Sequence, residues 1–258
     1  MTAPGPKVVI TGASSGIGRA LALEYAGRGA TLGLIARRVD LLTQLAASLP
    51  VRSYTYAANV TNARALAAAA EDFIARAGCP DIVIANAGVS AGTLTAHCED
   101  NAVFEEVMAV NVTGMMLTFQ PFIEEMRRQR RGIIVGIASV AGFRGLPGAA
   151  AYSASKAAAI SYLESLRIEM RASGIAVVTI CPGYIATPMT QRNPYRMPFL
   201  MDATVAASKM ADAIATRKRF YVLPWQMAII GWLLRRLPRP LYELLFAHAP
   251  HKPRRPSG

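Results

Sequence analysis

The chain has 258 residues, which fits one α/β domain of about 250 residues better than one small domain or two full ones. Apolar residues make up 53% of it and charged residues 17%, so it can bury a large core and intrinsic disorder is excluded. The three cysteines, Cys79, Cys98 and Cys181, cannot all pair, and none lies in a CxxC motif. A disulfide framework and a cysteine metal site are therefore disfavoured, and we expect no bound metal.

The net charge of +12 is spread unevenly along the chain. Nine basic residues and one acidic residue, Glu243, fall within residues 217–258, which gives that region a charge of +8. No stacking aromatic residues interleave the basic runs and no DNA-reading motif occurs, so we expect no nucleic-acid partner. The N-terminus lacks a secretory pattern, and no uninterrupted apolar run reaches the ~18 residues of a membrane span. We therefore expect a cytoplasmic protein.

Short β-branched runs alternate with longer segments rich in alanine and leucine. The predicted strands are residues 7–11, 31–36, 51–56, 81–85, 132–138, 175–180 and 219–223. The predicted helices are residues 17–27, 39–48, 62–77, 99–126 and 151–172, the fourth with a bend near Gly114 and Pro121. This alternation predicts βαβ units, and hence a doubly wound parallel α/β sheet of about seven strands with helices on both faces.

The regular pattern weakens after residue 182, where four prolines (Pro182, Pro188, Pro194 and Pro198) interrupt any helix. We predict an irregular lid over residues 183–201, and one catalytic domain over residues 1–223. An apolar and basic helical extension is expected over residues 224–250, with helices at 225–234 and 241–248, followed by a disordered tail at 251–258.

The first predicted strand leads directly into the turn TGASSGIG, residues 11–18. Glycines in such a turn let the backbone approach a pyrophosphate, and the following helix directs free N–H groups at the phosphates. The pattern therefore predicts a nucleotide site formed by Gly12, Ser14, Ser15, Gly16, Ile17 and Gly18.

The second predicted strand ends at Ala36, followed by Arg37 and Arg38. A dinucleotide site that prefers NAD has an acidic residue near this position, to hold the ribose 2′-hydroxyl. Two guanidinium groups match a 2′-phosphate instead, so we expect NADP(H) as the cofactor.

Tyr152 and Lys156 lie four residues apart on a predicted helix, and therefore on one face of it. An ammonium group near a phenol favours the phenolate, so this pair predicts a tyrosine with a lowered pKa that acts in proton transfer. Ser139 lies at the end of the preceding strand, the edge of the sheet where α/β proteins bind ligands.

Over residues 7–189 this ordered set of motifs resembles the short-chain dehydrogenase/reductase family, in its branch of roughly 250 residues. The resemblance depends on the glycine-rich turn, Asn86-Ala87-Gly88, Asn111, Ser139, Tyr152 with Lys156, and Pro182-Gly183 with Thr187. It implies a Rossmann-like fold and hydride transfer between a nicotinamide cofactor and a carbonyl or alcohol.

The resemblance also implies a role for each matching residue. Tyr152 would be the general acid and base, Lys156 would lower its pKa and hold the nicotinamide ribose, and Ser139 would bind the substrate carbonyl oxygen. Asn111 would anchor a water molecule in a proton relay. The implied cofactor contacts outside the glycine-rich turn are Asn59, Val60, Asn86, Ala87, Gly88, Pro182, Gly183, Ile185 and Thr187. Asn59 departs from the aspartate that the family usually has there, but it keeps an acceptor oxygen for the adenine amine.

The predicted lid is rich in apolar side chains, namely Tyr184, Ile185, Met189, Tyr195, Met197, Phe199, Leu200 and Met201. They favour a hydrophobic acyl, sphingoid-type or steroid-like carbonyl substrate, and hence a ketoreductase. A catalytically silent NADP-binding sensor or scaffold on the same fold is the alternative.

In the C-terminal extension, Trp225, Ile229, Trp232 and Leu233 form one helical stripe, with Arg235, Arg236 and Arg239 just beyond it. This composition is typical of an interfacial membrane anchor, and equally of a helix that covers a pocket or a subunit interface. Peripheral membrane contact, a subunit or pocket cover, and a solvated segment all stay open. We also expect a homodimer or homotetramer.

Overall fold

The computed structural model describes residues 5–247, 249 and 251–254. Met1–Pro4, His248, Pro250 and residues 255–258 lie outside the described residues, so the predicted ends of the domain, of the last helix and of the tail are not described there.

Seven parallel strands form one sheet in the order β3-β2-β1-β4-β5-β6-β7. Their bounds are β1 Lys7–Thr11, β2 Thr31–Ala36, β3 Ser53–Ala57, β4 Ile82–Ala85, β5 Gly132–Ile137, β6 Ile175–Pro182 and β7 Phe220–Leu223. The helices are α1 Gly16–Gly27, α2 Val39–Ser48, α3 Ala63–Ala77, α4 Asn101–Met108, α5 Gly114–Gln129, α6 Ala150–Glu169, α7 Ala203–Ala215, α8 Trp225–Arg236 and α9 Arg239–Phe246. The chain order reverses between β1 and β4, and this reversal defines the doubly wound fold that the sequence predicts.

Successive residues of each strand contribute to opposite faces of the sheet, because strand side chains alternate. Val8 and Ile10 belong to the core that packs on α1, α2 and α7, whereas Val9 belongs to the core that packs on α3, α5 and α6. The two apolar layers explain why the buried strands are continuous hydrophobic runs.

The long helix predicted at residues 99–126, with a bend near Gly114 and Pro121, is divided just before Gly114. A π-helical turn, Ala109–Thr113, separates α4 from α5, and Pro121 lies inside α5. The whole helical segment Cys98–Gln129 has the length and composition of a membrane span. Phe119, Phe122 and Met126 of this segment are buried in the core, so it packs here as a core helix of the α/β domain.

Two further differences lie in the last quarter of the chain. Helix α7 was not predicted, although Asp202 caps it by accepting hydrogen bonds from the Thr204 and Val205 amides at 2.7 and 3.3 Å. Within the tail predicted to be disordered, residues 251–254 make defined contacts with the domain. The Gly92 amide donates to the Pro253 carbonyl oxygen at 2.9 Å, and Arg254 forms an ion pair with Asp100.

Candidate active site

A cleft of about 830 Å³ opens at the carboxyl ends of β1, β4, β5 and β6, where the strand order reverses. The structure brings most of the predicted site residues together in its lining. They are Gly12, Ser14, Ser15, Gly16, Ile17, Arg37, Arg38, Asn59, Val60, Asn86, Ala87, Gly88, Ser139, Tyr152, Lys156, Pro182, Gly183, Ile185 and Thr187. Gly18 and Asn111 are the two predicted residues that do not line the cleft. Each packs against residues that do.

The glycine-rich turn is compact enough to exclude side chains at two positions. Gly12 has a φ of +68°, and a Cβ atom there would lie 2.8 Å from the Cα of Ala87. A Cβ atom at Gly18 would lie 2.3 Å from the Gly12 carbonyl oxygen. The absence of side chains lets the start of α1 and the glycine-rich turn pack against the segment after β4, and leaves the backbone of the turn open for a pyrophosphate.

Thr11 and Asn86 connect the ends of the two central strands. The Thr11 hydroxyl oxygen accepts hydrogen bonds from the amides of Asn86 and Ala87 at 3.2 and 3.3 Å. The Asn86 side-chain amide donates to the Thr11 carbonyl oxygen at 3.0 Å. These contacts hold the glycine-rich turn in a fixed position beside the 86–88 segment.

Arg38 lies across the glycine-rich turn. Its guanidinium group donates to the hydroxyl oxygens of Ser14 and Ser15 at 3.1 and 2.8 Å. Two hydroxyls and a guanidinium fork in one corner of the cleft form a donor set that suits a phosphate. On the adjacent wall, the Asn59 side-chain oxygen accepts a hydrogen bond from the Thr61 amide at 3.2 Å. A carbonyl oxygen has two lone pairs, so Asn59 can still accept a second hydrogen bond.

Tyr152, Ser139 and Lys156 meet at the inner end of the cleft. The Ser139 hydroxyl accepts a hydrogen bond from the Ala141 amide at 3.1 Å, which fixes its orientation at the end of β5. Lys156 is buried, and its ammonium nitrogen lies 5.8 Å from the centre of the Tyr152 ring. That ammonium donates to the Ile137 carbonyl oxygen at 2.9 Å.

The expected direction of the Tyr152 pKa shift is wrong for this structure. Burial raises the pKa of Tyr152, and the interaction with the Ser139 hydroxyl opposes this only in part. Burial also lowers the pKa of Lys156 to about 8. The spacing of the pair predicted their proximity, but desolvation acts on both groups and is the largest contribution to each shift.

Asn111 lies in the π-helical turn and is buried. Its side-chain amide donates to the Val89 carbonyl oxygen and to the Ser155 hydroxyl, both at 2.9 Å, and its side-chain oxygen accepts from the Val89 amide at 2.8 Å. Ser155 adjoins Lys156 on α6, so Asn111 joins the π turn, the loop after β4 and the helix that carries the reactive pair. Single π turns frequently occur at functional sites.

The segment after β6 closes the cleft from the opposite side. The Gly183 amide donates to the Leu223 carbonyl oxygen at 2.7 Å, and the Thr190 hydroxyl donates to the Ile185 carbonyl oxygen at 2.6 Å. Cys181 lies beneath this segment, and burial raises the pKa of its thiol to about 12. A nucleophilic role for Cys181, which needs a thiolate, is therefore disfavoured.

Several residues that line the cleft were missed by the sequence analysis, among them Ser90, Glu106, Arg192, Lys252 and Arg254. Lys252 and Arg254 belong to a segment that its composition marked as disordered. No group of three or more histidine, cysteine or acidic side chains with a metal-binding arrangement occurs among the described residues.

Comparison with known proteins identifies the family. The family profile described as short chain dehydrogenase matches residues 6–197, well over half of the chain. An uncharacterized oxidoreductase of Myxococcus xanthus is 38% identical over 238 residues, which cover 91% of this chain and 94% of that protein. A 3-oxoacyl-[acyl-carrier-protein] reductase of Thermotoga maritima is 34% identical over 197 residues, covering 75% of this chain and 80% of that protein.

Solved structures show the same relationship. A short-chain dehydrogenase from Streptomyces avermitilis superposes with a TM-score of 0.80 and 26% identity, covering 90% of this chain and 93% of that one. L-Sorbose reductase from Gluconobacter frateurii, solved with NADPH and L-sorbose, has a TM-score of 0.76 and 25% identity. The match covers 85% of this chain and 95% of that one. The cleft, the sheet order and these matches together show that the chain belongs to the short-chain dehydrogenase family, whose members are NAD(P)-binding oxidoreductases.

Proposed function

We propose that the protein is an NADP(H)-dependent ketoreductase that interconverts a carbonyl and a secondary alcohol on a hydrophobic substrate. The observation that carries this proposal is the convergence of Ser139, Tyr152 and Lys156 with the glycine-rich turn in one cleft. The 3-oxoacyl reductase of Thermotoga maritima, a carbonyl-reducing relative, supports the reaction type.

The residues of the cleft fit a phosphorylated dinucleotide. Gly12 leaves no room for a side chain beside Ala87, so the turn stays tight and its backbone is open to a pyrophosphate. Arg38, Ser14 and Ser15 would hold the 2′-phosphate, and Arg37 lies beside them in the lining. The bound cofactor supplies the hydride in reduction and takes it up in oxidation. NADPH in the related L-sorbose reductase supports the choice of cofactor.

Tyr152 and Ser139 would act on the substrate oxygen. Because burial raises the Tyr152 pKa, the phenol is protonated at neutral pH and can donate its proton to a carbonyl oxygen during reduction. The Ser139 hydroxyl would donate a hydrogen bond to the same oxygen. In oxidation the phenolate form of Tyr152 would take the alcohol proton, and Lys156 would stabilise that charge.

The substrate side of the cleft is lined by apolar groups of the lid. Ile185 and Met189 of the lid line the cleft, and the rings of Tyr184 and Tyr195 lie edge to face at 6.4 Å. These apolar groups favour a hydrophobic carbonyl compound.

The test is NADPH oxidation with the purified protein against a panel of acyl ketones, steroids and small diketones. Turnover that Tyr152→Phe abolishes, while the variant still binds NADPH, supports the proposal. Tight NADPH binding with no turnover of any carbonyl would instead support the silent sensor or scaffold.

The C-terminal extension adds a surface of different character, for which we propose peripheral contact with an anionic membrane. Helix α8 packs inward through Met227 and Gly231. The opposite stripe is exposed: Trp225 by 67%, Trp232 by 53%, Leu233 by 53% and Ile229 by 52%. Helix α9 adds exposed side chains in Leu241, Leu244 and Leu245.

Charge complementarity favours a membrane as the occupant of this apolar surface. The Arg236 guanidinium stacks 4.0 Å from the Trp232 ring, which places a cation beside the exposed stripe, and Arg239 begins α9. Arg235 instead stacks on Phe143 at 4.1 Å and supports the packing of α8. Aromatic and aliphatic groups rimmed by cations are typical of interfacial helices.

Sedimentation with anionic and with neutral vesicles tests this contact, using Trp225→Ser/Trp232→Ser as the variant. Binding to anionic vesicles that high salt and the double variant abolish is the expected result. A stable dimer that the same variant dissociates, without vesicle binding, would assign the surface to a second copy of the chain and overturn the membrane proposal.

A further inference from the structure

Residues 251–254, called here the C-terminal strap, return from the helical extension to the mouth of the cleft. Gly92 and Arg254 form a parallel β-bridge, and the Gly92 amide donates to the Pro253 carbonyl oxygen at 2.9 Å. At its start, the strap packs His251 against Gly148. The strap therefore connects the loop after β4 with the loop after β5, the two loops that border Tyr152.

Arg254 fixes the far end of the strap. Its Nε atom donates to both carboxylate oxygens of Asp100, at 3.1 and 2.9 Å. Asp100 is buried and also accepts a hydrogen bond from the Leu94 amide at 2.7 Å. The hydrogen bond from Arg254 is the main cause that lowers the pKa of Asp100, so the carboxylate stays ionised and the contact is charge-assisted.

The anchored strap places Lys252 inside the cleft. Its ammonium nitrogen donates to the Ser90 hydroxyl at 2.6 Å and lies 5.4 Å from the centre of the Tyr152 ring. An ammonium group has three N–H donors, and among the described residues the Ser90 oxygen is the hydrogen-bond acceptor it reaches.

Lys252 and Lys156 both lie beside Tyr152 but differ in what they can do. Lys156 is deeply buried on α6 and donates to a backbone carbonyl. Lys252 comes from outside the sheet, through the strap, and lines the cleft together with Ser90. A partly desolvated cation with a neutral partner is stabilised when an anion approaches it.

We propose that Lys252 and Ser90 bind a carboxylate of the substrate, close to the carbonyl carbon at which Tyr152 acts. One ammonium and one hydroxyl match the single charge of a carboxylate. The substrate is then a keto acid, or the corresponding hydroxy acid, whose apolar chain extends under the lid. This inference rests on the proposed ketoreductase function and specifies its substrate class.

The test compares a γ-keto fatty acid with its methyl ester, which has the same chain and carbonyl but no charge. The wild-type protein is expected to reduce the acid with the higher kcat/KM, through a lower KM. Lys252→Gln should lower kcat/KM for the acid about tenfold to a hundredfold, as for a lost charge-assisted hydrogen bond. The same variant should lower kcat/KM for the ester far less than for the acid, and Lys252→Arg should retain part of the acid preference.

Two further variants separate recognition from general damage. Lys209→Gln removes an exposed lysine of α7 and should leave the acid preference intact. Asp100→Asn weakens the anchor of the strap and should reduce the acid preference in the same way as Lys252→Gln. Equal loss of acid and ester activity in Lys252→Gln, or equal reduction of acid and ester by the wild type, would overturn the inference.

A binding measurement keeps this inference separate from the proposed function. Calorimetric titration of the γ-keto acid into the protein with NADP⁺ requires no turnover. Acid binding that Lys252→Gln abolishes, in a protein that reduces no carbonyl, would support the carboxylate site and refute the ketoreductase. Ester reduction without acid binding would do the reverse.

Discussion

Arg38 gives the sharpest test of cofactor choice. It donates to the hydroxyls of Ser14 and Ser15, so its guanidinium group already lies over the turn that would receive the adenosine end of the dinucleotide. A charge-assisted hydrogen bond contributes about 1.5–3 kcal/mol. Because Arg38 is exposed, solvent screening favours the lower end of that range. Arg38→Gln should therefore raise the dissociation constant for NADPH about tenfold and leave that for NADH unchanged.

Fluorescence titration of both cofactors measures the effect, and Arg52→Gln is the matched control because Arg52 is exposed and lies outside the cleft lining. Raising the ionic strength should weaken NADPH binding more than NADH binding in the wild type, and this difference should shrink in Arg38→Gln. An equal loss of affinity for both cofactors in Arg38→Gln would refute the reasoning, as would tighter binding of NADH by the wild type.

Three more predictions concern the site. Tyr152→Phe should keep NADPH affinity and lose about 10²–10⁴-fold in turnover, since it removes the proton donor; near-normal turnover would contradict that role. The pKa of Lys156 is about 8 in the folded protein and about 10.5 in the unfolded chain. Between these pH values the unfolded chain binds more protons, so the free energy of unfolding rises with pH. Across that range the free energy of unfolding of the wild type, measured by urea denaturation, should rise roughly 3 kcal/mol more than that of Lys156→Met. A difference between the two proteins that does not change with pH would contradict the lowered pKa of Lys156. Gly18→Ala should destabilise the protein, because the added Cβ atom would lie 2.3 Å from the Gly12 carbonyl oxygen. Gly27→Ala, where a Cβ atom would have no atom within 4 Å, should be neutral or stabilise the protein by up to about 1 kcal/mol. Thermal melts that show equal effects of the two variants would contradict the packing argument.

The nucleotide half of the fold could be predicted from the sequence because its signals are local. Strands β1 and β2 and helix α2 match the predicted bounds, since apolar runs and glycine spacing act within a few residues. Helix α7 was not predicted, although its N-cap residue Asp202 is a local signal in the sequence. The π turn around Asn111 has no such local signal; its side-chain contacts join segments far apart in the chain.

The chemistry of the site was harder to predict than its location. Spacing alone brought Tyr152 and Lys156 to one helix face, and the structure places them together. The direction of the Tyr152 pKa shift depends on how completely the phenol is desolvated, a property of the whole cleft that no sequence window contains.

The position of the strap could not be predicted from the sequence either, because it depends on contacts between distant segments. The strap also explains why two positions outside the cofactor site are glycines. A Cβ atom at Gly92 would lie 2.2 Å from the Lys252 carbonyl oxygen, and one at Gly148 would lie 2.6 Å from the His251 Cβ atom. Both loops therefore have room for the strap only because these two positions lack side chains. Residues 251–254, which lie in the tail predicted to be disordered, are thus accommodated by loops more than a hundred residues earlier in the chain. Lys252 lies beside Tyr152 because those loops accept the backbone of the strap, so residues 251–254 belong to the architecture of the cleft and not to the surface extension that precedes them.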